Sequence, residues 1–406
     1  MAQHPFLKSI RPVNLLSFGP NTEEIELRPL NILIGPNGSG KSNFIEIMGL
    51  LKELPDKNPW STVLETGGVD EWIWKGMTRN GSDTSRPSIT VTFNPLEAGH
   101  PLNYYEICLV KHTPTFSFHV LSEALGQVDS ASKKRTPFYV NRSQGSPDSA
   151  NIRSSASSFA ISKARELDIR LSLLAQLVDV FNYPELYYFE QKLSHIALYR
   201  DWIFGLDAEP RDPQPVGLDS THLEEDTRNL AQVLKAMRDR GEQAAFDQLV
   251  DLLRKFYEPV KDVDVELVGT HLRIMIKEEG LNSRTPASRL SDGTLRWLAL
   301  LTILLNPSPA PVTCIEEPEL GLHPDILPTL ADLLVDASTR TQLIVTTHSR
   351  ALLDAFTDTP EAVCVCEKEE GSTVIRRLDR EELKVWLNEY SLGKLWTSGQ
   401  IGGNRW

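Results

Sequence analysis

A glycine-rich segment between an apolar run and a helix-like run constrains the fold of this chain most. Residues Gly35–Ser42 read Gly-Pro-Asn-Gly-Ser-Gly-Lys-Ser and fit the pattern G-x-x-x-x-G-K-[ST]. The run Leu30–Ile34 before it predicts a buried strand, and Asn43–Leu51 after it predicts a helix. Such a loop surrounds a phosphate with backbone N–H groups and the positive end of a helix. The segment therefore predicts a phosphate-binding loop (P-loop) in an α/β protein.

Each residue type in this loop has a chemical role. The glycines let the backbone wrap around the β-phosphate, and Lys41 is expected to reach the β- and γ-phosphate oxygens. The Ser42 hydroxyl is expected to ligate Mg²⁺. The residues predicted to bind ATP are Gly35, Pro36, Asn37, Gly38, Ser39, Gly40, Lys41, Ser42 and Asn43.

A second segment, Arg289–Thr294, precedes the apolar, helix-like run Leu295–Leu305. It contains Leu-Ser-Asp-Gly-Thr and resembles the signature motif of ABC-type ATPases, Leu-Ser-Gly-Gly-Gln. Asp292 and Thr294 depart from that motif, in the form found in OLD-like and RecF-like members that are not transporters. In isolation, Ser-Asp-Gly before an apolar helix is also typical of an N-cap and turn. The resemblance implies contacts to the γ-phosphate of ATP on the opposite subunit of a dimer, made by Ser291, Asp292 and Gly293.

A third segment is an apolar strand pattern, Val312–Ile315, that ends in the adjacent carboxylates Glu316 and Glu317. This is Walker B chemistry, in which Glu316 would hold Mg²⁺ and Glu317 would act as the general base near the γ-phosphate. Most P-loop enzymes carry Asp at the first position, so Glu316 is a departure that its longer arm can accommodate. The pattern Glu-Glu-Pro-Glu-x-x-Leu-His-Pro resembles the OLD/RecF-like branch.

The fourth segment, Gln342–Thr347, predicts another buried strand, and His348 follows it. A single histidine at a strand end can be purely structural. In ABC-type ATPases the histidine at this place contacts the γ-phosphate and positions the attacking water, and the resemblance implies that role for His348. No glutamine lies between Ser42 and Gln127, so the glutamine of the usual Q-loop has no candidate here.

The order of the four motifs predicts an α/β fold of the ABC-type P-loop NTPase head. Such a head has a mixed central sheet and a flanking antiparallel sheet, and here it would carry a helical insertion lobe. We expect residues 1–126 to form the N-terminal half of the head and 258–406 its C-terminal half. Between them, 127–160 would be a flexible Ser-rich loop and 161–257 the helical insertion.

Composition limits the other classes of function. No apolar run approaches the roughly 20 residues that span a bilayer, and the N-terminus has no signal-peptide pattern, so we expect a cytoplasmic protein without a membrane partner. The formal net charge of −13 argues against a general basic surface for DNA. The four cysteines fall in strand-like runs and are expected to be reduced thiols.

The whole pattern resembles stand-alone RecF/OLD-like ATPases, the AAA15/AAA21-like predicted ATPases that lack a Toprim domain. The resemblance implies a homodimer that sandwiches and hydrolyses ATP with Mg²⁺. It also implies a role in DNA transactions or in defence against phage and plasmids, through a separately encoded effector and with DNA as a candidate partner. Only 58 residues follow His348, so a Toprim domain does not fit and no nuclease activity of the chain itself is expected.

Two alternatives share these motifs. The first is an ATP-gated scaffold that neutralises or positions a partner toxin, with slow hydrolysis as its reset. The second is the cytosolic subunit of a membrane transporter, which the long insertion and the Glu-Pro-Glu-x-x-Leu-His-Pro form disfavour.

Overall fold

The computed structural model describes residues 5–77, 86–94, 102–129, 132, 134–141, 151–152, 167–200, 204–239 and 243–403. The chain folds as two compact units. The P-loop unit comprises His4–Ile196, Val363–Leu378 and Ile401–Trp406. The signature unit comprises Met1–Gln3, Ala197–Ala362 and Asp379–Gln400.

The described residues form strands and helices throughout both units. The strands are β1 (Leu7–Val13), β2 (Ile25–Glu26), β3 (Leu30–Ile34), β4 (Ser88–Phe93), β5 (Tyr104–His112), β6 (Ser117–Val128), β7 (Arg135–Asn141), β8 (Asn151–Ile152), β9 (Ala197–Tyr199), β10 (Gln214–Pro215), β11 (Val260–Val268), β12 (His271–Glu278), β13 (Thr285–Pro286), β14 (Val312–Glu316), β15 (Gln342–Thr346), β16 (Val363–Glu369) and β17 (Ser372–Arg377). The α-helices are α1 (Lys41–Glu53), α2 (Ser61–Glu65), α3 (Val69–Trp72), α4 (Leu173–Gln176), α5 (Pro184–Ser194), α6 (Leu230–Asp239), α7 (Gln243–Phe256), α8 (Asp292–Leu304), α9 (Leu327–Ala337), α10 (Arg350–Asp354), α11 (Arg380–Leu387) and α12 (Leu392–Thr397).

The P-loop unit contains a seven-stranded antiparallel sheet in the order β2-β1-β4-β5-β6-β7-β8. In β4, buried and half-buried side chains alternate, as expected for a strand with one face on the core. A second group of strands in this unit is mixed, because β16 pairs in parallel with β3 and antiparallel with β17. Of these strands, β3 leads through the P-loop into α1.

The signature unit places β14 between two parallel neighbours, β15 and β9. An antiparallel group, in which β12 pairs with β10, β11 and β13, lies in the same unit. Helix α8 is buried all round from Thr294 to Leu304, which explains why the sequence there is mostly apolar, with Arg296 as its one charged residue. The stripe Leu230, Val233, Leu234 and Met237 on α6 is buried, as its helical spacing predicts.

Two segments differ from the sequence-based expectation. Residues 135–141, inside the expected loop 127–160, form β7 on the edge of β6, since Thr, Phe, Tyr and Val there favour a strand despite the Ser-rich surroundings. The expected insertion 161–257 is divided between the two units at residue 196, and Ala197–Tyr199 pairs with β14. Within the expected loop and the start of the insertion, residues 130–131, 133, 142–150 and 153–166 lie outside the described residues.

Two further observations concern composition. All four cysteines are free thiols within strands, which confirms that prediction. Among the helices of the described residues, none has both the length and the apolar character that crossing a bilayer requires.

Candidate nucleotide-binding site

The P-loop backbone is fixed by close contacts at two of its glycines. Gly35 has a φ of +150°, and a Cβ there would lie 2.3 Å from the carbonyl oxygen of Cys366. Gly40 has a φ of +104°, and a Cβ there would lie 2.1 Å from Thr373 Oγ1. The buried Thr373 hydroxyl donates a hydrogen bond of 2.8 Å to the Ser39 carbonyl. The hairpin β16–β17 therefore sets the shape of the loop and leaves space only for glycine at both positions.

Lys41 begins α1 and its side chain is buried. Its Nζ donates hydrogen bonds to the carbonyl oxygens of Gly35 (2.8 Å) and Pro36 (3.2 Å). Phosphate oxygens are stronger acceptors for an ammonium than carbonyl oxygens, so a bound triphosphate can replace these contacts. Ser42, in the first turn of α1, is exposed. This donor set fits a nucleotide phosphate chain.

The signature segment forms the beginning of α8. Ser291 is the N-cap residue, and its Oγ accepts a hydrogen bond of 3.1 Å from the Thr294 backbone N–H. Gly293 lies against another loop, because a Cβ there would be 2.9 Å from the carbonyl oxygen of Gly321. The N-cap alternative thus describes the local structure of Ser291, and α8 presents its first-turn N–H groups at this end.

The two Walker B carboxylates lie in different surroundings. Glu316 ends β14, and its Oε2 is 3.2 Å from Nε of Arg200, which follows β9. Glu317 is a non-glycine residue with a φ of +45°, a strained conformation held by its N–H donating 3.0 Å to the Thr346 carbonyl. Its Oε1 lies 3.6 Å from His348 Nε2, and about a third of each side chain is exposed. The structure therefore brings the predicted base and the predicted histidine together.

Glu319, to which the sequence assigned no role, holds the loop that carries His348. Its Oε1 accepts hydrogen bonds from the Thr347 hydroxyl (2.6 Å) and from the backbone N–H groups of His348 (3.0 Å) and Ser349 (3.1 Å). A single carboxylate oxygen thus fixes three consecutive residues. The Glu-Pro-Glu pattern was the available signal, but a carboxylate in such a loop is usually solvated.

Arg296 was also missed, because it lies in a run of apolar residues on α8. Its guanidinium donates to the Glu317 carbonyl at 3.3 Å. Burial lowers its pKa to about 10, while the charges of Glu319 and Glu317 act in the opposite direction. Arg296 therefore stays positively charged at neutral pH and compensates the carboxylates of this loop.

The sequence matches the family described as "AAA domain, putative AbiEii toxin, Type IV TA system" over residues 30–105 and 166–354, more than half of the chain. Among curated proteins, no match was found. Solved structures with a similar fold include the Smc head bound to the C-winged helix domain of ScpA, with 16% identity, a TM-score of 0.56 and coverage of 94% of this chain and 100% of that chain. Another is the Smc head domain with an extended coiled coil from Pyrococcus furiosus, bound to the C-terminal domain of ScpA, with 15% identity, a TM-score of 0.56 and coverage of 95% and 99%. These likenesses confirm the predicted fold class, an α/β head of the ABC-type P-loop ATPases.

Proposed function

The chain belongs to the family described as AAA domain, putative AbiEii toxin, type IV toxin–antitoxin system, and from this premise we propose that it is a Mg²⁺-dependent ATPase of the RecF/OLD-like group. The observation that carries the proposal is the pairing of Glu317 with His348 at 3.6 Å on loops held by Glu319 and Arg296. A base and a positioning group close enough to contact the same water molecule are what activation of an attacking water requires.

In this mechanism Lys41 binds the β- and γ-phosphates, and the N–H groups of the P-loop hold the phosphate chain. Glu317 accepts the proton of the attacking water, and His348 orients that water toward the γ-phosphate. Mg²⁺ bound with the nucleotide supplies charge neutralisation, and Ser42 and Glu316 are the residues that would hold it.

We propose further that ATP is shared between two copies of the chain. The exposed first turn of α8, with Ser291 and Gly293, would contact the γ-phosphate bound by the other copy, so a two-fold dimer would have two such sites. Ser291→Arg tests this by light scattering and nucleotide titration. We expect ATP binding by the monomer to persist while the ATP-dependent dimer and turnover are lost. Wild-type turnover in Ser291→Arg would contradict the sandwich.

The biological role that we propose is control of a separate effector, in defence against phage and plasmids or in DNA transactions in the cytoplasm. Support comes from the family description and from the Smc heads of similar fold, which were solved in complex with domains of ScpA. Native isolation followed by identification of co-purifying proteins, and ATP turnover with and without DNA, test the role. Incubating the pure chain with plasmid, ATP and Mg²⁺ or Mn²⁺ should produce no nicking.

A second candidate is an ATP-gated scaffold that neutralises or positions a partner toxin, which the toxin–antitoxin description favours. The two candidates differ in what controls the partner. If the chain is a scaffold, the ATP-bound Glu317→Gln variant should bind the partner as well as the wild type does. If the chain controls an effector through ATP turnover, the effector should be inactive in the presence of that variant.

A further inference from the structure

Arg211 lies at the centre of the turn that leads into α8. It ends the 3₁₀ turn Glu209–Arg211 in the signature unit, and its side chain is only 7% exposed. The guanidinium donates to four backbone carbonyl oxygens and to the Asp292 carboxylate. The carbonyl contacts are Gly205 O (2.8 Å), Leu290 O (2.8 Å), Phe204 O (3.1 Å) and Ser288 O (3.4 Å).

These contacts join two segments that are far apart in sequence. Phe204 and Gly205 precede Arg211 by a few residues, whereas Leu290 immediately precedes the N-cap Ser291 of α8. A planar guanidinium with five N–H donors can satisfy carbonyls on both sides at once, which a lysine ammonium cannot. Arg211 therefore fixes the backbone of the signature segment from behind.

The ion pair with Asp292 explains how an acid is tolerated in this motif. Asp292 is the first residue of α8, and its side chain is 65% exposed. The proposed function places this helix end against a γ-phosphate, where a carboxylate without a counter-charge would repel the anion. Because Arg211 pairs with Asp292, the repulsion is offset while the first-turn N–H groups stay available.

We propose that Arg211 is a positioning residue of the signature motif, which neutralises Asp292 and holds the turn before α8 so that Leu-Ser-Asp-Gly-Thr can receive the γ-phosphate of a second copy. This rests on the proposed ATP-sandwich dimer. Arg211 does not itself touch the nucleotide in this scheme.

A double-mutant cycle tests the proposal. In a Glu317→Gln parent that accumulates bound ATP, the dissociation constant of the ATP-dependent dimer is measured by analytical ultracentrifugation for Arg211→Met, Asp292→Asn and the double variant. We expect Arg211→Met to weaken the dimer about 10- to 100-fold and Asp292→Asn to change it by less than about threefold. In the Arg211→Met background, Asp292→Asn should tighten the dimer again by at least about tenfold, because it removes the uncompensated charge.

Arg254→Met is the matched control, because Arg254 also donates to two backbone carbonyls and pairs with a carboxylate, Asp251, but lies on α7. It should leave the dimer unchanged. If Arg211→Met loses its cooperative melting transition, Arg211→Gln, which also removes the positive charge but keeps polar donors, takes its place in the same cycle.

Three outcomes are decisive. Restoration by Asp292→Asn that is confined to the Arg211 variants supports the proposal, since a merely structural loss of carbonyl contacts would not be restored by a change of charge. An equal effect of Asp292→Asn with and without Arg211 overturns it while leaving the dimer intact. A parent that forms no dimer with ATP contradicts the proposed function itself, and the proposal for Arg211 falls with it.

Discussion

The P-loop and the loops that carry Glu317 and His348 both follow buried strands, but they are held in different ways. The P-loop is shaped by backbone and short side chains that leave no space for a Cβ at Gly35 or Gly40. The other loops are held by long charged side chains, with Glu319 accepting three donors and Arg296 donating to the Glu317 carbonyl. A loop packed so closely that no Cβ fits tolerates no larger residue at those positions. A loop held by side-chain hydrogen bonds can lose one of them and keep its fold.

The largest effect should come from removing the proposed base. Glu317→Gln keeps the shape of the side chain but cannot accept a proton, so ATP turnover should fall by about 10²–10⁴ while nucleotide binding persists. Steady-state phosphate release and equilibrium nucleotide titration measure the two quantities. A variant with near wild-type turnover would show that Glu317 is not the base. The loops that carry Glu317 and His348 would then have no catalytic role to compare with the binding role of the P-loop.

The next largest effect should appear in the P-loop. Gly40→Ala forces a Cβ into Thr373 and should weaken ATP binding roughly 10- to 100-fold, the equivalent of about 1–3 kcal/mol of strain. Gly68→Ala is the matched control, since Gly68 also has a positive φ, +85°, but a Cβ there would have no heavy atom of another segment within 4 Å. Equal ATP affinity of the two variants would mean that the close contact between Gly40 and Thr373 does not determine the shape of the P-loop.

A smaller effect is expected from the side-chain clamp. Glu319→Ala removes three hydrogen bonds from residues 347–349, so His348 loses its position and kcat should fall about tenfold with little change in KM. Asp379→Ala serves as the control, because Asp379 likewise accepts two backbone N–H groups, at the start of α11. A parallel rise in KM would place Glu319 in substrate binding instead.

The smallest effect on activity, none, is expected at Glu123, a buried acid of β6 in the P-loop unit. It accepts hydrogen bonds from Tyr105 (2.8 Å) and from the Leu173 N–H (2.7 Å), yet burial raises its pKa to about 7. A raised folded-state pKa stabilises the fold at low pH, and this contribution is lost as pH rises from about 4.5 to about 7.

Glu123→Gln does not titrate, so its free energy of unfolding should lack that loss, which amounts to up to roughly 3 kcal/mol. Urea unfolding of both proteins from pH 4.5 to 8 measures the difference in slope. If the free energies of unfolding of both proteins changed equally with pH, Glu123 would not have a raised pKa. Altered ATP turnover in Glu123→Gln would show that this acid affects the nucleotide-binding site.

Elements with a long periodic signal could be predicted from the sequence. The strand Leu30–Ile34 has the bounds that its apolar run suggests, and α8 begins earlier than the apolar run because Ser291 caps it. The short strand Ala197–Tyr199 could not be recognised, because it is apolar over only a few residues and gains its pairing from β14, more than a hundred residues later.

The site shows the same division. The residues of the motifs themselves could be predicted from the sequence, because glycine spacing and paired acids at strand ends are local signals. Arg200, Arg211 and Glu319 act on partners 116, 81 and 29 residues away, respectively. Ion pairs and clamps of this kind depend on the folded chain, and a single sequence carries no sign of which arginine meets which carboxylate.

The hairpin β16–β17 has a consequence for synthesis of the protein. Residues 363–378 emerge from the ribosome more than three hundred positions after the P-loop, yet they supply the strand beside β3 and the Thr373 hydroxyl behind Ser39. A nascent chain that lacks residues 363–378 contains the P-loop sequence but not the hairpin that fixes its backbone. At about 5–20 residues per second, elongation delays the synthesis of this hairpin. We therefore expect the P-loop to gain the shape that binds a phosphate only late in translation, after β16 and β17 have been made.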